Sequence, residues 1–463
     1  GNYYEPKNCN QAWLCYQNAL YYCDNEQDYD VILQYKQRME QNPDWCVQKV
    51  SIVILTYNLK EMNIQCIRSL RDTNDPSSYE LIVVDNASTD GTLEWLEQQL
   101  DIKLIGLYQE KRIGATGSMS NWAIPRQQIE QKLDSVEAYI AYGTAMNIPM
   151  KNAMEKKVWL AGFALLVKRK ALDEVGLLDE RYSPGQSEDL DLCVRMNLAG
   201  WQVRLCHNSF IIHYGHGNGK NTDVWKKTSS GSYNKFKKKW GFDLSYYTYS
   251  RRELVDMITQ PKEEAISVLE IGCGCGATLA HIAYEWPHSK VCGVEIQDAI
   301  ARIGANALDI VQGDIETMPL TYEKQSFDYI IFADVLEHLR DPEKILKRLA
   351  PYLKENGKYL CSVPNILNKH VISNLLMGEL EYQDAGILDR THLRFFTLDS
   401  ITKAFKRCGF EIAQLMASYD NSVLEPEEEE LLAALYRVPH LADREQFRVY
   451  QYYVCAQKMQ ENV

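Results

Sequence analysis

The chain has 463 residues, enough for about three domains of the usual size and too many for a minimal disulfide scaffold. Its 50 basic and 63 acidic side chains give a formal net charge of −13, a poor electrostatic match for nucleic acid, so we expect no nucleic-acid partner. No apolar run approaches the roughly 18 residues of a membrane-spanning helix, so no transmembrane segment is predicted.

The 13 cysteines are scattered, odd in number and without paired C-x-x-C spacing. This pattern predicts reduced thiols and a cytoplasmic location rather than a disulfide framework. No secretory signal peptide is predicted. Because the first residue is Gly rather than Met, a native start upstream of Gly1 stays open.

Residues 1–48 are predicted to form a short helical extension. Apolar residues recur at helical spacing around Trp13 and again from Val31 to Met39, which predicts two helices. The pair resembles the end of a tetratricopeptide-type array and could bind a protein partner. A helical extension that packs on the next domain fits the pattern equally well.

Residues 49–250 alternate short apolar runs with helical patterns. The runs Val50–Leu55 and Leu81–Val84 are continuous and rich in β-branched residues. We therefore predict strands with both faces buried, in the parallel sheet of an α/β fold.

Polar residues follow these two strands. Thr56 and Asn58 end the first and Asp85 ends the second, at the sheet edge where such folds bind nucleotides. The segments Ser51–Asn58 and Glu80–Thr92 resemble family 2 glycosyltransferases of the GT-A fold. The resemblance implies that Asp85 reads the base of a nucleotide sugar, with the other two residues beside it, and that a glycan is the acceptor.

Three later segments continue this resemblance: Trp159–Leu166, Val175–Glu180 and Ser187–Arg195. It implies that Asp189, or its neighbour Glu188, deprotonates the acceptor hydroxyl. The last segment is equally typical of a helix start capped by a serine, with acidic residues in the first turn. Both interpretations stay open.

The metal-binding Asp-x-Asp segment of these glycosyltransferases has no counterpart here. Asp101–Ile105 runs directly into Gly106–Asn121, which resembles what normally follows that motif. No metal ligands are therefore predicted; Mg²⁺ or Mn²⁺ stays open as a cofactor of this domain, without the motif that would bind it. Since the diphosphate leaving group needs charge stabilisation, we expect sugar transfer to be impaired or lost. His213 or His216 could approach a metal or a diphosphate, or both could be structural.

Residues 251–463 begin a new series of alternating strands and helices, after a charged linker near 250–265. The predicted strands are Val268–Ile271, Lys290–Glu295, Asp328–Phe332 and Lys358–Val363. This alternation predicts a second α/β domain with a doubly wound, Rossmann-like sheet.

A glycine-rich loop follows the first of these strands. It reads Glu270-Ile271-Gly272-Cys273-Gly274-Cys275-Gly276, and a helical pattern comes next. Glycine allows positive φ and close approach of a ligand to the backbone. Glu295, at the end of the next strand, can accept hydrogen bonds from both hydroxyls of a ribose. The two loop cysteines lack a companion pair, so a structural role is predicted for them rather than metal binding.

This loop, together with Gln312–Glu316, Phe327–His338 and Gly386–Thr397, resembles class I S-adenosylmethionine-dependent methyltransferases. The resemblance implies that S-adenosylmethionine is the cofactor, with Asp314 on the adenine amino group, Ile315 against the ring, and Ala333 and Asp334 near the methionine portion. The implied cofactor-binding residues are Glu270, Gly272, Gly274, Gly276, Glu295, Asp314, Ile315, Ala333 and Asp334. His338 or His392 could act as general base or be structural.

The leading hypothesis is a glycan-assembly enzyme with a GT-A-like domain at 49–250 and a methyltransferase domain at 251–463. It would transfer sugar and methylate a sugar hydroxyl or a related small acceptor. One alternative is a methyltransferase whose glycosyltransferase-like domain only binds glycan. Another is a non-enzymatic assembly protein that docks through its N-terminal helices.

Overall fold

The protein is described by a computed structural model with two compact units, residues 1–111 and 112–463. None of the helices in the described parts combines the length and apolarity that a bilayer crossing requires. The residues that the structure describes are 9–21, 23, 25–41, 50–56, 58–74, 79–85, 88–106, 112–124, 126–148, 150, 153–183, 185–213, 222–423, 425–438 and 443–459.

The first unit contains the two predicted N-terminal helices and a small sheet. Trp13 and Tyr16 of the first helix pack against Met39 of the second, which forms a small apolar cluster. The elements are α1 Cys9–Tyr21, α2 Glu26–Glu40, β1 Val50–Thr56, α3 Lys60–Thr73, β2 Tyr79–Asp85, α4 Thr92–Leu96 and β3 Ile102–Gly106.

The sheet of this unit is parallel, in the order β1-β2-β3, so β1 is an edge strand. Ile52 and Ile54 pack on the cluster around Ile67 of α3, whereas Val53 and Leu55 are 58% and 66% exposed. The prediction that both faces of this strand are buried is therefore wrong. The physical reason is that the apolar cluster lies on one face of β1 only.

The second unit begins with a four-stranded mixed sheet in the order β5-β7-β4-β6, in which β4 and β7 are parallel. Its elements are β4 Ile113–Ser120, α5 Val136–Met146, β5 Met154–Lys157, β6 Leu165–Val167, α6 Arg169–Val175, α7 Glu188–Leu198, β7 Gln202–Ile211, α8 Thr222–Trp240 and α9 Leu244–Tyr247.

The segment Trp159–Leu166, which resembles a strand, is mostly irregular. Only its end enters β6, after a 3₁₀ turn at Gly162–Ala164. The N–H of Gly162 donates to the carboxylate of Asp189 at 2.7 Å rather than to a neighbouring strand. This bond to a side chain takes the place of a ladder hydrogen bond and explains the interruption.

The rest of this unit is a seven-stranded sheet in the order β10-β9-β8-β11-β12-β14-β13, parallel except at β14, which runs antiparallel to both of its neighbours. Its elements are α10 Arg252–Val255, β8 Ser267–Ile271, α11 Ala277–Glu285, β9 Lys290–Glu295, α12 Asp298–Ala305, β10 Asp309–Gln312, β11 Phe327–Ala333, α13 Pro342–Leu349, β12 Leu353–Pro364, α14 Lys369–Leu376, α15 Leu398–Arg407, β13 Phe410–Tyr419, α16 Pro426–Leu435 and β14 Val449–Lys458.

The chain leaves β8 toward β9 and β10, then returns to the other side of β8 as β11. This reversal makes a doubly wound sheet, and ligands bind such sheets in the crevice at the carboxyl ends beside the switch. The four strands predicted for this part of the chain are all present, and the bounds of β9 coincide with the prediction.

One apolar core cluster crosses the sequence boundary proposed near residue 250. Val158, Leu190 and Phe236 from the four-stranded part pack with Cys275 and Ile303 from the seven-stranded part. All five side chains are nearly inaccessible to solvent. The two parts of this unit are therefore joined by a shared hydrophobic interior and not only by a linker.

Candidate functional site

The glycine loop lies at the switch point of the seven-stranded sheet. Gly272, Gly274 and Gly276 have φ of +66°, +55° and +81°, which is the left-handed region that favours glycine. Gly276 is also the residue before α11. The N–H of Gly272 donates to the carbonyl of Val294 at 2.8 Å, which ties the loop to the end of β9.

The loop is also tightly packed against Val335 and Tyr247. A Cβ atom on Gly272 would lie 2.5 Å from Cγ2 of Val335, and one on Gly274 would lie 2.7 Å from the carbonyl oxygen of Tyr247. Backbone conformation and space therefore both require glycine at these positions.

Two buried carboxylates flank the loop. Glu295 accepts hydrogen bonds from the N–H groups of Gly274 and Gln297, each at 2.9 Å. Glu270 is 2% exposed, and its Oε2 has no hydrogen-bond partner. Burial raises the pKa of Glu270 to about 8, an effect that a hydrogen bond with Thr278 and the charge of Arg251 only partly offset.

The neighbouring residues complete this edge. The carboxylate of Asp314 accepts the N–H of Glu316 at 2.8 Å, and Ile315 is buried in the core. Ala333 ends β11. Asp334 has a φ of +54° and forms an ion pair with Arg251 at 2.5 Å. A non-glycine residue in this conformation carries strain of the kind that concentrates at functional sites.

Beyond Asp334, the structure brings both candidate histidines together. The rings of His338 and His392 are 4.8 Å apart in an edge-to-face arrangement. Glu337, beside them, is 1% exposed, and its Oε2 has no hydrogen-bond partner. Burial and the charge of Asp334 raise the pKa of this carboxyl group well above its usual range.

These residues fit S-adenosylmethionine in charge and in donor set. The cofactor carries a sulfonium and an ammonium group, and this sheet edge presents the carboxyl groups of Glu270, Glu295 and Asp334. The unpartnered oxygen of Glu270 is costly to bury unless a donor reaches it. A cationic, hydrogen-bonding ligand supplies such a donor.

Asp189 and Glu188, the two candidate bases for the acceptor hydroxyl, lie at the start of α7. Asp189 accepts the N–H of Gly162 through Oδ2, and burial raises its pKa despite this bond. Oε2 of Glu188 is buried without a hydrogen-bond partner. Ser187 has a φ of +73° and makes no capping hydrogen bond, so the alternative of a serine-capped helix start is not what the structure shows.

The histidine that follows β7 has structural contacts. His213 stacks on Phe163 with ring centroids 4.9 Å apart, and its Nδ1 lies 2.9 Å from the carbonyl oxygen of Trp122. Its companion His216 lies outside the described residues.

In the first unit, the three nucleotide-site candidates lie at the carboxyl ends of β1 and β2. Asp85 is fully buried and accepts the N–H and the hydroxyl of Ser88, at 2.9 and 2.5 Å. Asn58 donates its N–H to that same hydroxyl at 2.7 Å. Oγ1 of Thr56 is buried and has no hydrogen-bond partner. The two strand ends are thus linked through Ser88.

Sequence reasoning missed two groups of residues. Glu337 directly precedes His338 in a motif already recognised, and this adjacency was the available signal. The second group lines a cavity of about 840 Å³ and includes Arg126, Lys157 and His207. No local sequence pattern marks these residues. Glu155, 1% exposed, contacts these three cationic or polar groups, which hold its pKa at about 2 although burial opposes ionisation.

Comparison with protein families gives two matches. Residues 51–121 match the model of glycosyl transferase family 2, and residues 244–415 match a methyltransferase domain model. The chain therefore contains one segment that matches family 2 glycosyltransferases and one that matches a methyltransferase domain. The predicted fold class, α/β with a GT-A-like part followed by a Rossmann-like part, is confirmed.

Similar proteins are methyltransferases. N-methyltransferase 4 of Papaver somniferum is 26% identical over 102 residues, which are 20% of this chain and 28% of the relative. The ubiquinone biosynthesis O-methyltransferase of Coxiella burnetii is 31% identical over 105 residues, 21% of this chain and 43% of the relative. The chain thus spans less than half the length of these relatives.

The solved structures that are similar to part of this chain include a SAM-dependent methyltransferase from Archaeoglobus fulgidus. It is 17% identical, with a TM-score of 0.33, and the match covers 49% of this chain and 99% of that one.

Proposed function

We propose that the protein transfers a methyl group from S-adenosylmethionine to a hydroxyl of a sugar or a related small acceptor. The proposed domains are the helical extension 1–48, the glycosyltransferase-like domain 49–250 and the methyltransferase domain 251–463. The observation that carries the proposal is the buried carboxyl group of Glu270 beside the glycine loop, whose Oε2 has no hydrogen-bond partner. The sugar acceptor is inferred from the pairing of the two domains in one chain.

The bound cofactor would supply a methyl group on positively charged sulfur. Glu270 and Glu295 would bind its cationic and ribose groups, and Asp314 its adenine amino group. His338 and His392 lie far apart in the chain but adjacent in space, and they would activate the acceptor hydroxyl. One of these imidazoles would take the proton of the acceptor hydroxyl, and the oxygen would then be able to accept the methyl group that the cofactor supplies when bound.

Binding of S-adenosylmethionine is expected to strengthen as the pH rises from 6 to 8. The pKa of Glu270 is about 8, so below this pH the carboxyl group is protonated and a cationic ligand must first displace that proton. The affinity should rise by up to about tenfold per pH unit and level off above pH 8. Isothermal titration calorimetry of the full chain measures this.

Glu270→Gln should bind weakly at every pH and lose the pH dependence, whereas Glu264→Gln, at an exposed position in the same domain, should keep it. An identical pH profile in the wild-type protein and in Glu270→Gln would rule out this role for Glu270.

Sugar transfer by the glycosyltransferase-like domain is proposed to be lost. β3 ends at Gly106 and β4 begins at Ile113, so only residues 107–112 connect them. Such a short connection cannot contain a strand and a helix with metal-binding carboxylates. The domain would then bind a nucleotide or a glycan without breaking the sugar–phosphate bond.

With UDP-, GDP- and dTDP-hexoses and either Mg²⁺ or Mn²⁺, the full chain is expected to show no hydrolysis or transfer above the protein-free background. Nucleotide release measured by chromatography tests this, with Asp189→Asn as the matched variant. A metal-dependent signal that disappears in Asp189→Asn would instead establish a working glycosyltransferase with Asp189 as its base.

A further inference from the structure

We propose that Glu337, His338 and His392 bind a divalent cation of the first transition row. One ligand atom from each residue lies within 4.8 Å of the others. Two imidazole nitrogens and one carboxylate oxygen form a donor set that binds Zn²⁺, Mn²⁺ or Fe²⁺ and leaves further coordination positions open. No metal was predicted from the sequence.

The backbone holds the two contributing segments together. The 3₁₀ turn Leu336–His338 follows β11, and the carbonyl oxygen of Glu337 accepts the N–H groups of Leu393 and Arg394 at 2.8 and 3.0 Å. These bonds fix the segment that carries His392 against the turn. The site is therefore set by main-chain hydrogen bonds and does not depend on side-chain packing alone.

Hydrogen bonds also orient the imidazoles. Nδ1 of His392 lies 2.9 Å from the carbonyl oxygen of Ile387. Nδ1 of His338 lies 3.2 Å from both the carbonyl oxygen and the hydroxyl oxygen of Thr391, and that hydroxyl donates its hydrogen to Asp389. Because a carbonyl oxygen only accepts, each Nδ1 must donate, which leaves the lone pair of each neutral ring on Nε2. A ring nitrogen that donates to a carbonyl while the other ligates is the usual arrangement of metal-binding histidines.

The burial of Glu337 is a second, independent observation that supports a bound cation. Glu337 is 1% exposed and its Oε2 lacks a hydrogen-bond partner. The neighbouring guanidinium of Arg251 is paired with Asp334, and that of Arg394 is bound to the carbonyl oxygens of Leu393 and Arg340. A buried carboxylate without a partner is unfavourable, and a bound cation would compensate it.

If the proposed methyl transfer holds, the cation would take the acceptor hydroxyl at an open position. A metal lowers the pKa of a bound hydroxyl, so the O–H bond breaks, the proton passes to water and the oxygen stays on the ion as the nucleophile. His338 and His392 would then activate the acceptor by holding the ion rather than by taking its proton.

Cation binding can be measured on the full chain without cofactor or acceptor. Because the chain has 13 cysteines and Mn²⁺ binds thiolates poorly, Mn²⁺ alone is the first probe, after removal of metals with a chelator. We expect about one ion per chain by titration calorimetry and elemental analysis. His392→Asn and His338→Asn should weaken binding by at least about tenfold, and the exposed-site control His288→Asn should not.

Equal Mn²⁺ affinity in the wild-type protein and in His392→Asn would overturn the site, as would no binding by the wild-type protein. If a variant fails to fold, as judged by thermal unfolding, X-ray absorption of the Mn²⁺-loaded wild-type protein decides by the presence or absence of imidazole ligands. Cofactor affinity is measured separately, so failure of the cation site and failure of the proposed methyl transfer are distinguishable.

Discussion

Replacement of Gly274 by Ala is expected to reduce the affinity for S-adenosylmethionine by at least about tenfold, which corresponds to about 1.4 kcal/mol. The added Cβ would lie 2.7 Å from the carbonyl oxygen of Tyr247, and the φ of +55° is one that side-chain-bearing residues rarely adopt. The neighbour is backbone and cannot rotate away, so the loop must shift. Calorimetric titration with the cofactor measures the loss.

Gly409→Ala is the matched control for this change. Gly409 also has a positive φ, +86°, but a Cβ there would meet nothing within 4 Å. It should therefore carry the cost of the backbone conformation without displacing the loop, and cofactor affinity should stay at the wild-type value. Undiminished affinity in Gly274→Ala would mean that the loop at the end of β8 does not hold the cofactor.

Asp191→Asn is expected to destabilise the second unit by about 3–5 kcal/mol, because it removes the charge of a buried carboxylate that pairs with two partly buried cations. The Asp191 carboxylate is fully buried, pairs with Arg195 at 2.8 Å and contacts Lys239. It also accepts hydrogen bonds from Trp240 and Tyr182, at 2.9 and 3.2 Å. Thermal unfolding followed by circular dichroism should show a midpoint lowered by several degrees.

The control is Asp173→Asn, which removes an equivalent aspartate–arginine pair four residues apart on an exposed helix surface. The Arg169 and Asp173 side chains are 78% and 56% exposed, so this change should cost less than about 0.5 kcal/mol. Equal midpoints for the two variants would show that the network around Asp191 contributes no more than a surface pair.

The same network shows what local sequence patterns could not predict. A basic run such as that at 235–240 is typical of a solvated helix face, and its first lysines are exposed. Lys239, however, turns inward to Asp179 and Asp191. The pairing partners lie far away in the chain, so charge patterning within one helix gives no sign of them.

Four strands of the seven-stranded sheet, β8, β9, β11 and β12, were predictable because they are largely apolar runs that end in polar or glycine residues. Val50–Leu55 shows the limit of that signal, since the same pattern forms an edge strand with an exposed face. In the candidate site, the glycine loop and both histidines followed from motifs. The roles of Arg251 and Glu337 depend on burial and on contacts across the fold, which composition and spacing do not encode.

The apolar cluster that crosses residue 250 has an evolutionary consequence. A shortened protein that began at residue 251 would expose Cys275, Ile300 and Ile303, which now pack against Phe236 and its neighbours. Selection for sugar transfer could weaken while selection for the fold of residues 112–250 persists. Loss of these residues would expose apolar side chains of the methyltransferase part to solvent. A glycosyltransferase-like part without activity could thus be retained because it stabilises the methyltransferase part.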